Sequence, residues 1–390
     1  MSKSFSVLIV CEACVDGVFT HVEGLIKYLI GTKEAKVHFA YSSVRGCSRS
    51  KKLVQEVESL GGNTIDLKVN NAPAFSDLQA YYKLIKFCHK NKPDITHAHS
   101  SKAGALVRLL PEKLSGAVFY TPHAYYGMDY NNTHKKYFFN LIERFLGTRG
   151  TSIHVSPEER AFSSSILRLS NQDSLLIPNA VNCSVFSPLE SSSQILALKK
   201  LLRIPSSAFI FGSIARLGHQ KNPQLLYQSF SLLHKHVDKS AGIYLLHLTS
   251  GTANELKELR ELAVELEIDK HVIYPSYTSN PEIVYQVLDA FCLSSRYEGL
   301  PFTVLEALAT DLPIVLTDAP GLKSFGNSRY NLSHIFYGDT CDKDSFFESM
   351  LACFESPKDN INHRNIAIEH FSINSVYGKI LHAYQRKVLK

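Results

Sequence analysis

Short apolar runs alternate with helix-like patterns along the first half of the chain. Six runs are rich in Val, Ile, Phe and Tyr and are bounded by polar residues, which is the pattern of short strands. They are Phe5–Cys11, Val37–Tyr41, Thr64–Lys68, Ile95–His97, Val118–Thr121 and Ile153–Val155. Amphipathic stretches such as Thr20–Ile30 and Ser76–Lys90 lie between them. This alternation predicts a parallel, doubly wound α/β sheet.

The same rhythm restarts after a proline-flanked loop near Asn182. The predicted strands of the second half are Phe209–Ile214, Gly242–Leu248, His271–Ile273, Phe291–Leu293 and Pro313–Leu316. A chain of 390 residues is too long for a single hydrophobic core. We therefore predict two domains of the same class, over residues 1–180 and 181–371. A basic amphipathic helix over Ser372–Lys390 would follow them.

Composition bears on the compartment. Apolar residues make up 45% of the chain, yet no apolar run reaches the ~18 residues of a membrane-spanning helix. The N-terminal apolar run is too short for a signal peptide. Eight cysteines are scattered along the chain, and the Cys-x-x-Cys formed by Cys11 and Cys14 has no second ligand pair. We therefore expect a cytoplasmic protein with reduced, structural cysteines.

The net charge of +6 is unevenly distributed, because residues 1–180 carry +7 and residues 181–390 carry −1. The basic excess suits an anionic membrane surface or an acidic acceptor, and no nucleic-acid-binding motif accompanies it. Four cations surround the apolar segment 137–145, which predicts peripheral contact with the inner face of the cell membrane. A core helix with solvated cations is the alternative. These cations are Lys135, Lys136, Arg144 and Arg149.

Two glutamates follow the apolar run that ends at Leu293. Glu298 lies in the polar segment after this strand, and Pro301 suits the first position of a helix, where its missing N–H costs nothing. Glu306 then lies about one turn into that helix. Ligands bind at strand ends in open α/β sheets, so both carboxylates are candidate ligand contacts. A solvated loop carboxylate and an exposed helix residue are the alternative.

Two cations precede a helix in the second domain. Arg216 and Lys221 lie between the strand that ends at Ile214 and a helix that begins at Pro223. Fixed positive charges and the backbone N–H groups of a helix start together bind a diphosphate. A pair of surface cations is the alternative. Farther along, Asp342 and Asp344 precede a helix, and we interpret them as capping residues rather than metal ligands.

Chemistry-bearing residues also follow three strands of the first half. Gly17 and His21 come after the first strand, and Gly17 allows close backbone approach of a ligand. His97 and His99 share one strand face, but no carboxylate or Cys lies at ligand spacing, so a zinc site is not predicted. Ser100, Ser101 and Lys102 end that strand, and His123 follows the next one. A lone histidine such as His21 also fits a purely structural role on a helix face.

These motifs resemble those of the retaining glycosyltransferases of family 4, which have the GT-B fold. The resemblance rests on the Ser-Arg-x-Glu-Gly-x-Pro frame around Glu298, the Gln-Lys-Asn at 220–222, the Ile-Pro-Asn at 177–179 and the segment 94–104. It implies two Rossmann-like domains that face a cleft, with a terminal helix that crosses back onto the first domain. The chain departs from the pattern at Asp16, Ala180 and Asn182, where the family has Gly, Gly and Asp.

The resemblance also implies roles for individual residues. Arg216 and Lys221 would grip the nucleotide diphosphate, and Glu306 would accept from the ribose hydroxyls. Glu298, with Gly299 and Leu300, would hold the donor sugar, and the loop Asp318–Gly321 would close the donor pocket. Gly17 would let the backbone approach the donor phosphate or the acceptor. His123 would stabilise the oxocarbenium charge, so the catalytic residues expected are His123, Glu298, Arg216 and Lys221. The residues expected at the acceptor are Ser100, Ser101, Lys102 and His21.

The function implied is metal-independent, retaining transfer of a sugar from a nucleotide-diphosphate donor, with UDP expected. The acceptor would be a glycan or a polyprenyl-diphosphate-linked intermediate of bacterial surface polysaccharide, and no cofactor or metal is expected. No carboxylate nucleophile is visible, so double displacement is not expected. Two alternatives remain: a nucleotide-sugar hydrolase or epimerase of the same architecture, and a non-catalytic nucleotide-sugar-binding subunit.

Overall fold

The computed structural model describes residues 5–70, 73–128, 133–170, 174–189, 191–237, 242–275, 280–326 and 330–389. The chain divides into two compact units. Unit 1 contains Met1–Ala180 and Ile373–Lys390, and unit 2 contains Val181–Ser372. Each unit is built on one parallel sheet with helices, which confirms the predicted α/β class.

The sheet of unit 1 has the strand order β3-β2-β1-β4-β5-β6-β7 in the part of the chain described. Its strands are β1 (Phe5–Cys11), β2 (Ala35–Tyr41), β3 (Thr64–Asp66), β4 (Ile95–His99), β5 (Ala117–Thr121), β6 (Thr151–His154) and β7 (Ser174–Leu176). The order reverses between β1 and β4, and loops after these two strands therefore diverge and leave a crevice at their carboxyl ends.

Helices pack on both faces of this sheet, and the sequence of β1 shows why. Val7 and Ile9 belong to one apolar cluster, whereas Leu8 and Val10 belong to another on the opposite face. A strand covered on both sides needs an unbroken apolar run. The helices of unit 1 are α1 (Asp16–Thr32), α2 (Ser48–Ser59), α3 (Ser76–Asn91), α4 (Ser101–Arg108), α5 (Glu112–Ser115), α6 (Thr133–Leu146) and α7 (Pro157–Ser165).

The sheet of unit 2 has the order β10-β9-β8-β11-β12-β13 among the described residues and reverses between β8 and β11. Its strands are β8 (Phe209–Ile214), β9 (Ile243–Leu248), β10 (Val272–Ile273), β11 (Ala290–Leu293), β12 (Ile314–Thr317) and β13 (Ile335–Gly338). Its helices are α8 (Ser192–Leu201), α9 (Pro223–His236), α10 (Ala253–Glu265), α11 (Glu282–Tyr285), α12 (Phe302–Ala309), α13 (Lys343–Glu355) and α14 (His363–Ile366).

Several boundaries differ from those predicted. The edge strands β7 and β13 were not predicted; they are only three and four residues long, and most of their residues are half-buried. β4 extends through His99, so both of its histidines lie within the strand. Helix α12 begins at Phe302, which makes Pro301 the residue before the helix rather than its first residue. Asp342 accepts from the backbone N–H of Asp344 at the start of α13, which confirms the capping interpretation.

The last helix, α15 (Ile373–Val388), belongs to unit 1 and packs against α1. Gly24 of α1 permits the close approach, since a Cβ there would lie 2.5 Å from the hydroxyl of Tyr377. Tyr377 and Tyr384 of α15 are both buried. All eight cysteines are free, and none of the helices described is long and apolar enough to cross a membrane.

Candidate active site

Glu298 is the centre of a polar network in unit 2. It lies in the loop between β11 and α12, and its side chain is only 8% exposed. Its Oε1 accepts from the ammonium of Lys221 at 2.5 Å and from the hydroxyl of Ser295 at 2.6 Å. The amide of Gln220 lies 3.4 Å from its Oε2. Lys221 comes from the loop between β8 and α9, so the fold brings two predicted site residues into one ion pair.

These two loops are fixed to each other by further hydrogen bonds. The backbone N–H of Arg296 donates to the carbonyl of Gln220 at 2.8 Å. The hydroxyl of Ser294 donates to the carbonyls of Lys221 and Asn222, each at 3.0 Å. Asn222 adopts a left-handed φ of 50° immediately before Pro223, the first residue of α9. The position of Lys221 is therefore set by the backbone on either side of it.

The loop Asp318–Gly321 packs against the same glutamate. The backbone N–H of Glu298 donates to the carbonyl of Pro320 at 2.8 Å. Gly321 has a φ of +83°, and a Cβ there would lie 2.0 Å from the carbonyl oxygen of Glu298. Only glycine fits this position without displacement of the backbone.

Arg216 is exposed and lies two residues after β8. Hydrogen bonds from Thr252, and then the positive charge of Arg216, lower the pKa of the Glu255 carboxyl at the start of α10. Thr252 and Glu255 form a capping box for that helix. Arg216 therefore contributes positive charge at the carboxyl end of β8, on the same connection to α9 as Lys221.

Glu306 lies within α12, as predicted, and is held by a tyrosine. The hydroxyl of Tyr285 donates to its Oε2 at 2.6 Å. Burial, and then the charge of Glu306, raise the pKa of Tyr285 well above its usual value. Tyr285 therefore remains a hydrogen-bond donor that orients the carboxylate. Gly299 and Leu300 are buried in the loop before this helix.

Two of the residues predicted to contact the acceptor bind carboxylates of neighbouring segments in unit 1. Ser100 donates to the buried carboxylate of Glu12 at 2.5 Å. Glu12 also accepts from Arg45 at 3.1 Å and from the backbone N–H of Ala103 at 3.2 Å. The ammonium of Lys102 lies 2.9 Å from both carboxylate oxygens of Asp77. Ser101 is the first residue of α4, and an acceptor contact by these residues stays a prediction.

Gly17 lies in the first turn of α1, next to a strained residue. Asp16 has a φ of 55°, in the left-handed region that glycine adopts most readily. The family resemblance expects glycine at this position, and the backbone explains that preference. Asp tolerates the conformation better than most residues.

His123 follows β5 in an unusual stretch of backbone. Its φ is +57° and that of Ala124 is +84°, both in the left-handed region. The buried carboxylate of Glu159 accepts from the backbone N–H of Ala124 at 2.6 Å and from that of Val155 at 2.7 Å. Glu159 therefore holds the conformation of the segment that carries His123. The sequence offered no signal for this role beyond a glutamate in the first turn of α7.

Four histidines from three segments meet at the carboxyl end of this sheet. His99 Nδ1 lies 3.1 Å from His123 Nε2, and the rings of His97 and His99 are 4.0 Å apart. The ring of His21 lies 4.9 Å from that of His123. His97 is fixed by Tyr384 of α15 and by Thr121, at 2.5 and 2.8 Å. The sequence pattern pairs only His97 and His99 and gives no sign that His21 and His123 join them.

Burial decides the charge of these histidines. Desolvation lowers the pKa of His21 to about 4, partly offset by its hydrogen bond with Asn179. Desolvation, and then the neighbouring imidazoles, lower the pKa values of His97, His99 and His123 well below the usual range. All four rings are therefore neutral at pH 7.

Comparisons with known proteins identify the family of the chain. A family model described as glycosyltransferase family 4 matches residues 15–185, and one described as glycosyl transferases group 1 matches residues 195–368. A UDP-Gal:α-D-GlcNAc-diphosphoundecaprenol α-1,3-galactosyltransferase of Escherichia coli is 24% identical over 323 residues. These residues cover 80% of this chain and 81% of that protein.

Solved structures show the same fold. A glycosyltransferase from Rickettsia africae superposes with a TM-score of 0.76 at 20% identity, over 100% of this chain and 99% of that one. Anabaena HepE, solved with UDP and glucose, superposes with a TM-score of 0.80 at 14% identity, over 98% and 100%. The two family models together match residues 15–185 and 195–368, which is most of the chain. The chain therefore belongs to the family 4 glycosyltransferases and is a transferase enzyme of the GT-B fold.

Proposed function

We propose that the protein is a retaining, metal-independent glycosyltransferase that uses a UDP-sugar and a glycan or lipid-linked acceptor. The observation that carries this proposal is the ion pair of Lys221 and Glu298, which joins two loops at the carboxyl end of the unit 2 sheet. The E. coli relative is named for a UDP-sugar donor and a diphosphoundecaprenol-linked acceptor, and HepE was solved with UDP. An O-antigen biosynthesis glycosyltransferase and a capsular polysaccharide glycosyltransferase are also among the relatives, which supports a role in surface polysaccharide.

The ion pair suggests how the donor would bind. A diphosphate would compete with Glu298 for the ammonium of Lys221 and would also attract the charge of Arg216. Glu298 would then be free to accept hydrogen bonds from the sugar hydroxyls, while Glu306 would accept from the ribose. The two cations would stabilise the negative charge that develops on the departing diphosphate. We propose that Asp318–Gly321 closes this pocket.

His123 would act on the donor sugar, whose bond to the diphosphate breaks. The C1–O bond breaks, its electron pair leaves with the diphosphate, and positive charge develops on the sugar. A neutral imidazole beside this charge stabilises it, whereas an imidazolium would repel it. The low pKa of His123 therefore suits the proposed role. The acceptor hydroxyl would attack from the face that the diphosphate leaves, and its proton would pass to the diphosphate.

The test is nucleotide-sugar turnover by the full chain and by variants at three donor residues. We expect Arg216→Ala, Lys221→Ala and Glu306→Gln each to lower kcat/KM for the donor by roughly 10²–10³-fold, as the loss of one stabilising group does elsewhere. Lys257→Ala is the matched control, because this lysine lies on the exposed surface of α10. Unchanged donor use in all three variants would overturn the assignment.

Two further readouts separate the alternatives. The anomeric configuration of the product, measured by NMR, distinguishes retention from inversion, and activity in excess chelator tests metal independence. Free sugar as the main product in the presence of acceptor would indicate a hydrolase instead. Binding of UDP without any turnover would indicate a non-catalytic subunit.

We also propose that α6 contacts an anionic membrane. Tyr137, Leu141 and Phe145 are spaced four residues apart and are 83%, 64% and 76% exposed. Residues at this spacing share one helix face, so the face is apolar and solvated rather than part of the core. Exposed Lys135 lies near its start. Arg144 and Arg149, by contrast, donate to carbonyls of unit 1.

Liposome flotation tests this contact. We expect binding to vesicles that contain anionic lipid and at least a tenfold loss in Leu141→Ser/Phe145→Ser, since each large apolar side chain contributes about 1.5–3 kcal/mol when buried. Val264→Ser, at an exposed apolar position of α10, is the control. Flotation that does not depend on anionic lipid, or that survives the double substitution, would dismiss the idea.

A further inference from the structure

We propose that His21, His99 and His123 form a binding site for a divalent transition metal such as Zn²⁺. One ligand nitrogen from each of these histidines lies within 4.8 Å of the other two. The three residues come from α1, the end of β4 and the segment after β5. Because the three residues are far apart in the sequence, no local motif indicates the site. The parallel sheet brings their rings to one edge.

The distances approach those of a real metal site. With Zn–N bonds of about 2.0–2.1 Å and tetrahedral angles, two ligand nitrogens lie about 3.3–3.4 Å apart. His99 Nδ1 and His123 Nε2 are already 3.1 Å apart. The largest separation in the trio would have to shrink by at most about 1.4 Å, and His123 is the least buried of the three rings.

The hydrogen bond of His21 leaves a lone pair for a metal, whereas the proton shared between His99 Nδ1 and His123 Nε2 would be displaced on binding. His21 Nδ1 lies 3.1 Å from the side-chain oxygen of Asn179, so this nitrogen carries the proton and Nε2 carries the lone pair. His21 Nε2 is buried and has no hydrogen-bond partner among the described residues. A ring N–H fixed by a carbonyl oxygen is the usual outer-shell arrangement of a metal-binding histidine. His99 also has a buried nitrogen, Nε2, that lacks a partner in the same residues.

The donor set selects the metal. Three imidazoles without a carboxylate favour Zn²⁺, Cu²⁺, Ni²⁺ or Co²⁺ over Mg²⁺, which prefers oxygen ligands. Neutral imidazole is the form that binds metal. Three protein ligands leave a fourth position for water or another group.

The consequence for activity rests on the proposed function. A bound ion would occupy the imidazole nitrogen of His123 and would place positive charge where positive charge must develop on the sugar. The ion would therefore inhibit transfer rather than assist it. This agrees with metal-independent catalysis, and it makes free Zn²⁺ an inhibitor that a chelator reverses.

The binding test uses the full chain without a polyhistidine tag and Co²⁺ as a spectroscopic probe. We expect one equivalent of Co²⁺ to give the visible absorption of a tetrahedral nitrogen site, Zn²⁺ to displace it, and millimolar Mg²⁺ to leave it unchanged. His99→Ala and His123→Ala should each weaken binding at least tenfold. His382→Ala, at an exposed histidine of α15, should bind as the unaltered chain does.

Two outcomes would overturn the site: no Co²⁺ spectrum above that of surface histidines, or a spectrum that persists in His123→Ala. Because His99 is fully buried, His123→Ala keeps the test decisive if His99→Ala does not fold. The readout is independent of turnover. Co²⁺ binding in a chain without transferase activity would leave the metal site intact and would count against the proposed function alone.

Discussion

At the residue scale, Lys221 and Glu298 neutralise each other within unit 2. The family resemblance implies donor binding for both residues but gives them separate roles. Their separation of 2.5 Å adds that they are partners before any donor is bound. Such a pair keeps a partly buried ammonium and a buried carboxylate compensated, because an unpaired buried charge is costly. Donor binding then becomes an exchange of partners rather than the filling of an empty site.

Gly321 provides a prediction at this scale. We expect Gly321→Ala to lower the free energy of unfolding by about 1–3 kcal/mol and to weaken donor binding, because its φ is +83° and the new Cβ would meet the carbonyl of Glu298. Gly61→Ala is the control, since Gly61 has a φ of +79° but nothing within 4 Å of the added Cβ. Denaturant titration and UDP binding measure the two effects. Equal losses in both variants would show that the contact with Glu298 is unimportant.

At the element scale, helix α15 completes the environment of the histidines in unit 1. Tyr384 bonds to His97, and Tyr377 lies edge-on against His21, with ring centroids 5.4 Å apart. The hydroxyl of Tyr377 also donates to the backbone carbonyl of His21 at 3.2 Å. The last segment of the chain therefore fixes residues near its beginning, which an amphipathic pattern alone does not indicate.

The packing of α15 on α1 yields a second prediction. Gly24→Ala should destabilise unit 1 by about 1–2 kcal/mol, because the added methyl would overlap the hydroxyl of Tyr377. Gly31→Ala in the same helix should instead stabilise it by up to about 1 kcal/mol, since nothing lies near that Cβ and alanine favours helix.

Thermal unfolding of both single variants and of Gly24→Ala/Tyr377→Phe tests the predicted packing of α15 on α1. Removal of the hydroxyl should recover part of the loss. A Gly24→Ala variant that is as stable as Gly31→Ala would show that α1 and α15 pack less closely than the structure indicates.

At the scale of the whole molecule, buried neutral histidines make stability depend on pH. The folded pKa of His21 is about 4, below the 6.5 of an unfolded histidine, and burial also lowers the pKa values of His154 and His247 to about 4. The unfolded chain therefore binds more protons between pH 6.5 and 4, so stability falls as pH falls through this window. A shift of this size in His21 corresponds to roughly 3 kcal/mol.

Glu159 acts in the opposite direction. Burial raises its pKa from 4.5 to about 7, although the N–H groups of Ala124 and Val155 oppose the shift. Its contribution to the stability of the folded chain is complete below pH 4.5 and is lost as pH rises through 7. The histidines outnumber it, so we expect a lower denaturation midpoint at pH 5 than at pH 7.5. His21→Gln should reduce that difference, and a midpoint unchanged between the two pH values would contradict the prediction.

The sequence by itself determined where most strands lie and which loops carry chemistry. Unbroken apolar runs such as β1 and β8 identify strands buried on both faces. The residues that follow such a strand lie at the edge of the sheet where ligands bind. Arg216, Lys221, Glu298 and His123 all follow strands in this way, and the resemblance to family 4 is what implies their roles. Local patterns suffice because strand formation and loop position depend on residues that are near one another in the chain.

Only the tertiary structure decided which of these residues meet. Lys221 and Glu298 are far apart in sequence, as are His21, His99, His123 and the carboxylate of Glu159 that holds the His123 segment. Their contacts arise from strand order, because parallel strands carry their following loops to one edge of a sheet. These strands are β8 and β11 in unit 2 and β1, β4, β5 and β6 in unit 1. The left-handed backbone at His123 and Gly321 likewise depends on distant partners, so no local pattern could reveal it.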